Sequence, residues 1–173
     1  MKTVVKLALG VMLAGFAMFA VAAPANAANT SVVGQSGPCN GALVVQSGSN
    51  WSLVAQDNTG SCSKGNSAQV WQDGNNNSQA TLQGGKKNSA VTVQDGNGNI
   101  AGTLQVGKNN TAGVWQDGNN NLGGAAQFGK NNSSVVEQTG NNNLGGALQF
   151  GKGNQSFISQ TGNGNGAIVV QSN

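Results

Sequence analysis

The sequence predicts an all-β fold: a two-sheet β-solenoid of about thirteen short strands, stacked as cross-β rungs from eleven-residue half-repeats in a twenty-two-residue repeat. Three observations carry this. From Gln72 to Gln171 a glutamine returns every eleven residues without a miss, and an asparagine stands six residues before each one. Between them runs a seven-residue alternation with β-branched or small centres, the pattern of a strand, and the four-residue gap that follows nearly always carries glycine, the pattern of a turn. Finally, lysines and aspartates recur every twenty-two residues at matching positions of alternate turns. A fixed period of this kind is the signature of a repeat architecture.

Taken in order, residues 1–27 stand apart from the repeat. Lys2 and Lys6 precede an uncharged apolar run from Leu7 to Ala23, and Ala25-Asn26-Ala27 forms a small-x-small cleavage site. This is the pattern of a secretory signal peptide. A membrane span fits less well, because Pro24 follows the run at once and no basic stop-transfer cluster appears. The mature chain is expected to begin at Ala28, to work outside the cytoplasm and to contain no membrane span. Removing Lys2 and Lys6 takes two charges from the formal +3 of the whole chain, leaving a net charge near +1 and no arginine. A specific nucleic-acid binder would present a face rich in arginine and lysine, so none is expected here.

Residues 28–65 hold three less regular half-repeats, Asn29–Gln35, Asn40–Gln46 and Asn50–Gln56, with a long turn after the third. The two irregular spacings fall in turns, where length is tolerated. Residues 66–173 hold the regular half-repeats. Their asparagines are Asn66, Asn77, Asn88, Asn99, Asn110, Asn121, Asn132, Asn143, Asn154 and Asn165; their glutamines are Gln72, Gln83, Gln94, Gln105, Gln116, Gln127, Gln138, Gln149, Gln160 and Gln171.

A composition dominated by Gly, Asn, Ser and Gln argues for disorder. The periodicity answers it. Asparagine, small residue, central residue and glutamine all fall on one face of each strand, and stacking makes each a column of like residues. Amides in such columns bond to the same residue one rung away, as in cross-β stacks. The other face is mixed, with Ile100, Leu122 and Leu144 on one sheet and Trp71 and Trp115 on the other, so the regular face is assigned inward. Lys64, Lys86, Lys108, Lys130 and Lys152 then line one edge, and Asp73, Asp95 and Asp117 the opposite one. The lysine edge reads as a solvated edge that keeps fibres from adhering sideways. Alternatively it binds an acidic polymer such as matrix polysaccharide or DNA, with Phe128 and Phe150 beside it.

The motif Gln-x-Gly-x-x-Asn-x-Ala-x-x-x-Gln spans Gln35–Gln46, Gln83–Gln94 and Gln160–Gln171 in full. It resembles the repeat of the curlins, the subunits of bacterial curli fibres, and the resemblance covers essentially the whole mature chain. It implies export across the outer membrane by a secretion apparatus and assembly with copies of itself, started by a curli-type nucleator. The product is an extracellular functional amyloid of the biofilm matrix and of surface adhesion. The chain departs from the motif where Gln79, Gly123, Ser134, Gly145 and Ser156 replace the alanine.

Catalytic chemistry has little to work with. There is no histidine, one glutamate, and aspartates that recur as turn residues, so no catalytic, metal or cofactor site is assigned and no cofactor is expected. Asp-Gly suits a tight turn, whereas calcium-binding repeats need several carboxylates per turn. The alternative function is a monomeric secreted solenoid that binds a glycan or ice. An ice-binding face would want an outward threonine array, but Thr81, Thr92 and Thr103 fall on the inward face and stop after three. Cys39 and Cys62 fall in turns on the same edge one rung apart, about 4.8 Å, within disulfide reach. In an oxidising compartment they are expected to pair within one chain; two free thiols or a bond between chains are the alternatives.

Overall fold

The computed structural model describes residues 28–58 and 65–173; the expected signal peptide, Cys62 and Lys64 lie outside them. Among the described residues twelve strands follow one another and none is helical: β1 (Thr30–Ser36), β2 (Gly41–Gln46), β3 (Ser49–Asn58), β4 (Ser67–Lys86), β5 (Ser89–Asn97), β6 (Ile100–Lys108), β7 (Thr111–Asn119), β8 (Leu122–Lys130), β9 (Ser133–Asn141), β10 (Leu144–Lys152), β11 (Gln155–Thr161) and β12 (Gly166–Ser172). Every pairing is parallel and joins residues one coil apart, such as Gln94 with Gln116 and Gln105 with Gln127. Alternate half-turns therefore build two sheets. Sheet one stacks β2, the first half of β4, β5, β7, β9 and β11. Sheet two stacks β1, β3, the second half of β4, β6, β8, β10 and β12.

The coil makes thirteen half-turns, yet the strands number twelve, because Ser67–Lys86 runs unbroken around the corner between the two sheets. Strands β5 to β10 are nine residues long instead of the seven the alternation suggests. The reason is that the corners stack too. Asp95, Gly96 and Asn97 pair with Asp117, Gly118 and Asn119, so ladder hydrogen bonds continue into the arc.

Each regular arc after Gln72 turns on two left-handed residues. One is the glycine two positions after the glutamine, for example Gly96 at φ 109° and Gly118 at φ 119°. Conformation and stacking both demand glycine there: a Cβ on Gly96 would lie 2.0 Å from the carbonyl oxygen of Gly118 on the next rung. The other stands just before the inward asparagine, where Asn76, Asn120 and Asn142 adopt φ 56–59°. Asparagine tolerates this region better than most residues.

The regular face is the buried one. Asn66, Ala68, Val70 and Gln72 are all buried, as are Asn88, Ala90, Thr92 and Gln94 one rung on. The interior is thus a narrow apolar seam between columns of amides. Its shape explains two departures from the repeat: a Cβ on Gly123 would lie 3.0 Å from Val114 Cγ1, and one on Gly145 would lie 2.8 Å from Val136 Cγ1. Where the facing strand carries valine, glycine makes room. Gln79 is accommodated differently. Its Nε2 donates to Ser52 Oγ at 2.6 Å and to Leu53 O at 3.2 Å, and its Oε1 accepts from the Thr81 hydroxyl at 3.0 Å.

Candidate functional site

In a solenoid the candidate site is a set of columns and the two faces on which they end. The glutamine column of sheet one begins at Gln46 and continues regularly from Gln72 through Gln94, Gln116 and Gln138 to Gln160. From Gln72 on, each Nε2 donates to the Oε1 of the next glutamine, at 2.7, 2.9, 2.9 and 2.9 Å. In sheet two the column Gln83, Gln105, Gln127, Gln149 and Gln171 does the same at 2.7, 2.9, 2.9 and 2.8 Å. The second amide hydrogen crosses the interior. Gln105 Nε2 donates to Ser89 O at 2.9 Å and Gln127 Nε2 to Thr111 O at 2.8 Å, each in the opposite sheet. One side chain therefore ties successive rungs together and the two sheets to each other. Every glutamine-to-glutamine bond donates toward the C-terminal end, so the column has a direction.

The asparagines work as clamps on the corners. Asn66, Asn88, Asn110, Asn132 and Asn154 stand in sheet one, and Asn77, Asn99, Asn121, Asn143 and Asn165 in sheet two. Their Oδ1 accepts the main-chain N–H of the next asparagine in the column: Asn88 N to Asn66 Oδ1 at 3.0 Å, Asn99 N to Asn77 Oδ1 at 3.0 Å, Asn165 N to Asn143 Oδ1 at 3.0 Å. Their Nδ2 reaches main-chain carbonyls of the arcs, as from Asn77 to Asp73 O and to Gly96 O, both at 2.9 Å. Side-chain to side-chain bonds are the lesser part, such as Asn121 Nδ2 to Asn99 Oδ1 at 3.2 Å. The asparagine column thus differs from the amide-to-amide ladder expected of it. A shorter side chain brings the carboxamide to the strand's own backbone, where unpaired donors and acceptors of the corner need partners.

Sequence reasoning missed a further column. Asn75, Asn97, Asn119, Asn141 and Asn163 stack in the arcs, with Nδ2 to Oδ1 distances of 3.4, 3.2, 2.9 and 3.0 Å. Its signal was present, since asparagine recurs there every twenty-two residues, but it was hidden inside a turn.

The charged residues take opposite edges. Lys86, Lys108, Lys130 and Lys152 stack in register where sheet two turns into sheet one. Asp73, Asp95 and Asp117 stack where sheet one turns into sheet two. Beside the lysines, Phe128 and Phe150 stack with ring centroids 5.2 Å apart and planes within 13°, and they help bury Leu148 on the outer face. Thr81, Thr92 and Thr103 are each 1% exposed, so no threonine array faces solvent at those positions. Cys39 is disulfide-bonded, while its expected partner falls outside the described residues.

At the two ends of the described coil the burial pattern gives way. The inward row of β1 is exposed almost throughout, and β12 alternates between half-buried and exposed. Val33 on the inward face of β1 is 47% exposed, whereas the corresponding Val54 of β3 is fully buried. Leu43 and Val45 of β2, with Ile168 and Val170 of β12, are also exposed. Among the described residues each end is a two-stranded platform, β1 with β2 and β11 with β12, whose outer main-chain row has no strand paired to it.

The family model described as the Curlin associated repeat matches the chain twice, over residues 107–140 and 140–172. No curated protein and no solved structure matches it.

Proposed function

This chain is a curlin-repeat protein, and from that premise we propose that it is a secreted structural subunit, not an enzyme, that self-assembles into extracellular curli-like amyloid fibres. The observation that carries the reading is the pair of open platforms at the ends of the described coil. An unpaired sheet edge is a template for another strand, and these two edges carry the same interior columns in the same polar sense. Stacking one copy on another continues the glutamine and asparagine columns, covers the exposed apolar side chains of the end strands, and needs no change in the fold. In this reading a curli-type nucleator and a secretion apparatus are the cellular partners, the fibres sit at the cell surface, and they serve biofilm matrix and adhesion. Matrix polysaccharide is the ligand proposed for the lysine edge.

Electron microscopy and an amyloid dye, applied to purified protein at neutral pH, test the proposal. Unbranched dye-positive fibres that form without an added factor are expected, and fibre fragments should abolish the lag. Protein that stays monomeric and dye-negative for days at high concentration overturns it.

A further inference from the structure

The outermost described strands, β1 and β12, both belong to sheet two, because thirteen half-turns separate the two faces of the coil. Sheet one accordingly has one strand fewer, with β2 outermost at one end and β11 at the other. A regular coil that continues past β12 places its next half-turn in sheet one, on β11. From this parity we infer that successive copies in the fibre are related by a half-turn about the long axis. The incoming copy seats its β1 on β11 and its β2 on β12. The inference rests on the fibre reading above and specifies its junction.

A second, independent observation points the same way. Residues 41–47 read Gly-Ala-Leu-Val-Val-Gln-Ser and residues 166–172 read Gly-Ala-Ile-Val-Val-Gln-Ser. These nearly identical segments lie in opposite sheets at opposite ends of the coil. Within the coil, stacked neighbours are commonly alike, as in Leu122 with Leu144 and Phe128 with Phe150. With the half-turn, β2 of the incoming copy lies on β12 with Ala42 over Ala167, Val44 over Val169 and Gln46 over Gln171, and the exposed Leu43 and Val45 meet the exposed Ile168 and Val170. On the other sheet Ser31 falls over Ser156 and Gln35 over Gln160.

The columns also fix polarity. Gln160 and Gln171 are the last donors of their columns, with one amide hydrogen spent on Leu144 O and Gln155 O. Gln35 and Gln46 are the first members and donate into their own chain, to Gln56 and Gln72, which leaves their Oε1 atoms to receive. Head-to-tail stacking matches these groups; head-to-head stacking opposes donor to donor. Stacking without rotation sets β1 on β12 and leaves β11 facing β2 across the width of a missing strand, so a row of main-chain groups goes unpaired. The half-turn removes that slot. It also places the lysine edge of one copy in line with the aspartate edge of the next, so each side of the fibre alternates in sign about every 31 Å, six and a half rungs of about 4.8 Å.

Two double variants of the exported full chain test the junction, with each single variant as a control. In Leu43→Cys/Ile168→Cys the two positions lie on neighbouring strands of adjacent copies, within disulfide reach, only if the half-turn holds. In Val32→Cys/Ile168→Cys they are neighbours only without rotation, and lie in opposite sheets otherwise. Mild oxidation of fibres, non-reducing gels and peptide mapping should give ladders of linked chains for the first pair and single-variant background for the second. Cryo-electron microscopy of unmodified fibres should find a rotation close to half a revolution per subunit. Fibres that link only through positions 32 and 168, or whose subunits repeat without rotation, overturn the inference while the fibre reading stands. Absence of fibres from the unmodified protein overturns both.

Discussion

Gln116 donates one amide hydrogen to Gln138 at 2.9 Å along the coil and the other to Ile100 O at 3.0 Å across it. It also accepts from Gln94 at 2.9 Å, so one buried side chain joins three rungs of sheet one to sheet two. A buried polar group without a partner costs roughly 1–3 kcal/mol. Gln116→Leu strands the donor of Gln94 and the acceptor of Gln138, for a loss of about 2–6 kcal/mol on the same scale. Ser89→Leu, at a half-buried outward position, should stay within about 1 kcal/mol of the parent. Denaturant titration and assembly half-times of the two variants check this. Equal behaviour would mean that the glutamine column contributes little.

The two left-handed positions of an arc should respond in opposite ways. At Gly96 a methyl group meets the backbone of the next rung, and Gly96→Ala should cost about 3 kcal/mol or more from strain and overpacking together. At Gly98, φ 68°, the nearest obstacle is the end of the Asn120 side chain, and asparagine already occupies this place at Asn76, Asn120 and Asn142. Gly98→Asn should therefore be neutral within about 1 kcal/mol. Urea midpoints of soluble protein or of dissolved fibres compare them. A tolerated Gly96→Ala would contradict the close stacking of the arcs.

The hydroxyl of Thr92 is buried with no hydrogen-bond partner among the described residues, in the column where Val70 and Val114 are its neighbours. Replacing it with valine keeps the shape, removes an unsatisfied group and suits a strand. Thr92→Val should stabilise the protein by about 1 kcal/mol. A higher urea midpoint with an unchanged slope is the expected reading; destabilisation would place a water or another partner at that oxygen.

Cys39 is disulfide-bonded, and the chain holds two cysteines. We propose Cys62 as its partner within the same chain. Closing a loop of this size stabilises by roughly 3 kcal/mol on a chain-entropy estimate, so reduction should loosen the first half-turns and leave residues 66–173 folded. Peptide mapping under non-reducing conditions and hydrogen exchange with and without reductant check the assignment. Mapping Cys39 to a second molecule would refute it.

Much of this architecture was legible in one dimension. Residues twenty-two apart become stacked neighbours, so the columns, the inward face at Asn88, Ala90, Thr92 and Gln94, and the opposed lysine and aspartate edges follow from period and alternation alone. Tertiary structure decided what depends on the shape of the coil across its width. The bond from Gln116 to Ile100 spans sixteen residues and two sheets, and no period announces it. Glycine at 123 and 145 answers valines on the facing strand, a steric match invisible in either half-repeat by itself. The asparagines turned to main-chain groups because the corner's own carbonyls and N–H groups lie within reach of a short side chain. The unbroken run of β4 reflects a corner that keeps its ladder bonds. Periodicity specifies which residues stack, since stacking repeats along the axis; it does not specify what meets across the interior, because that is set by the curvature of the arcs and the volumes they enclose.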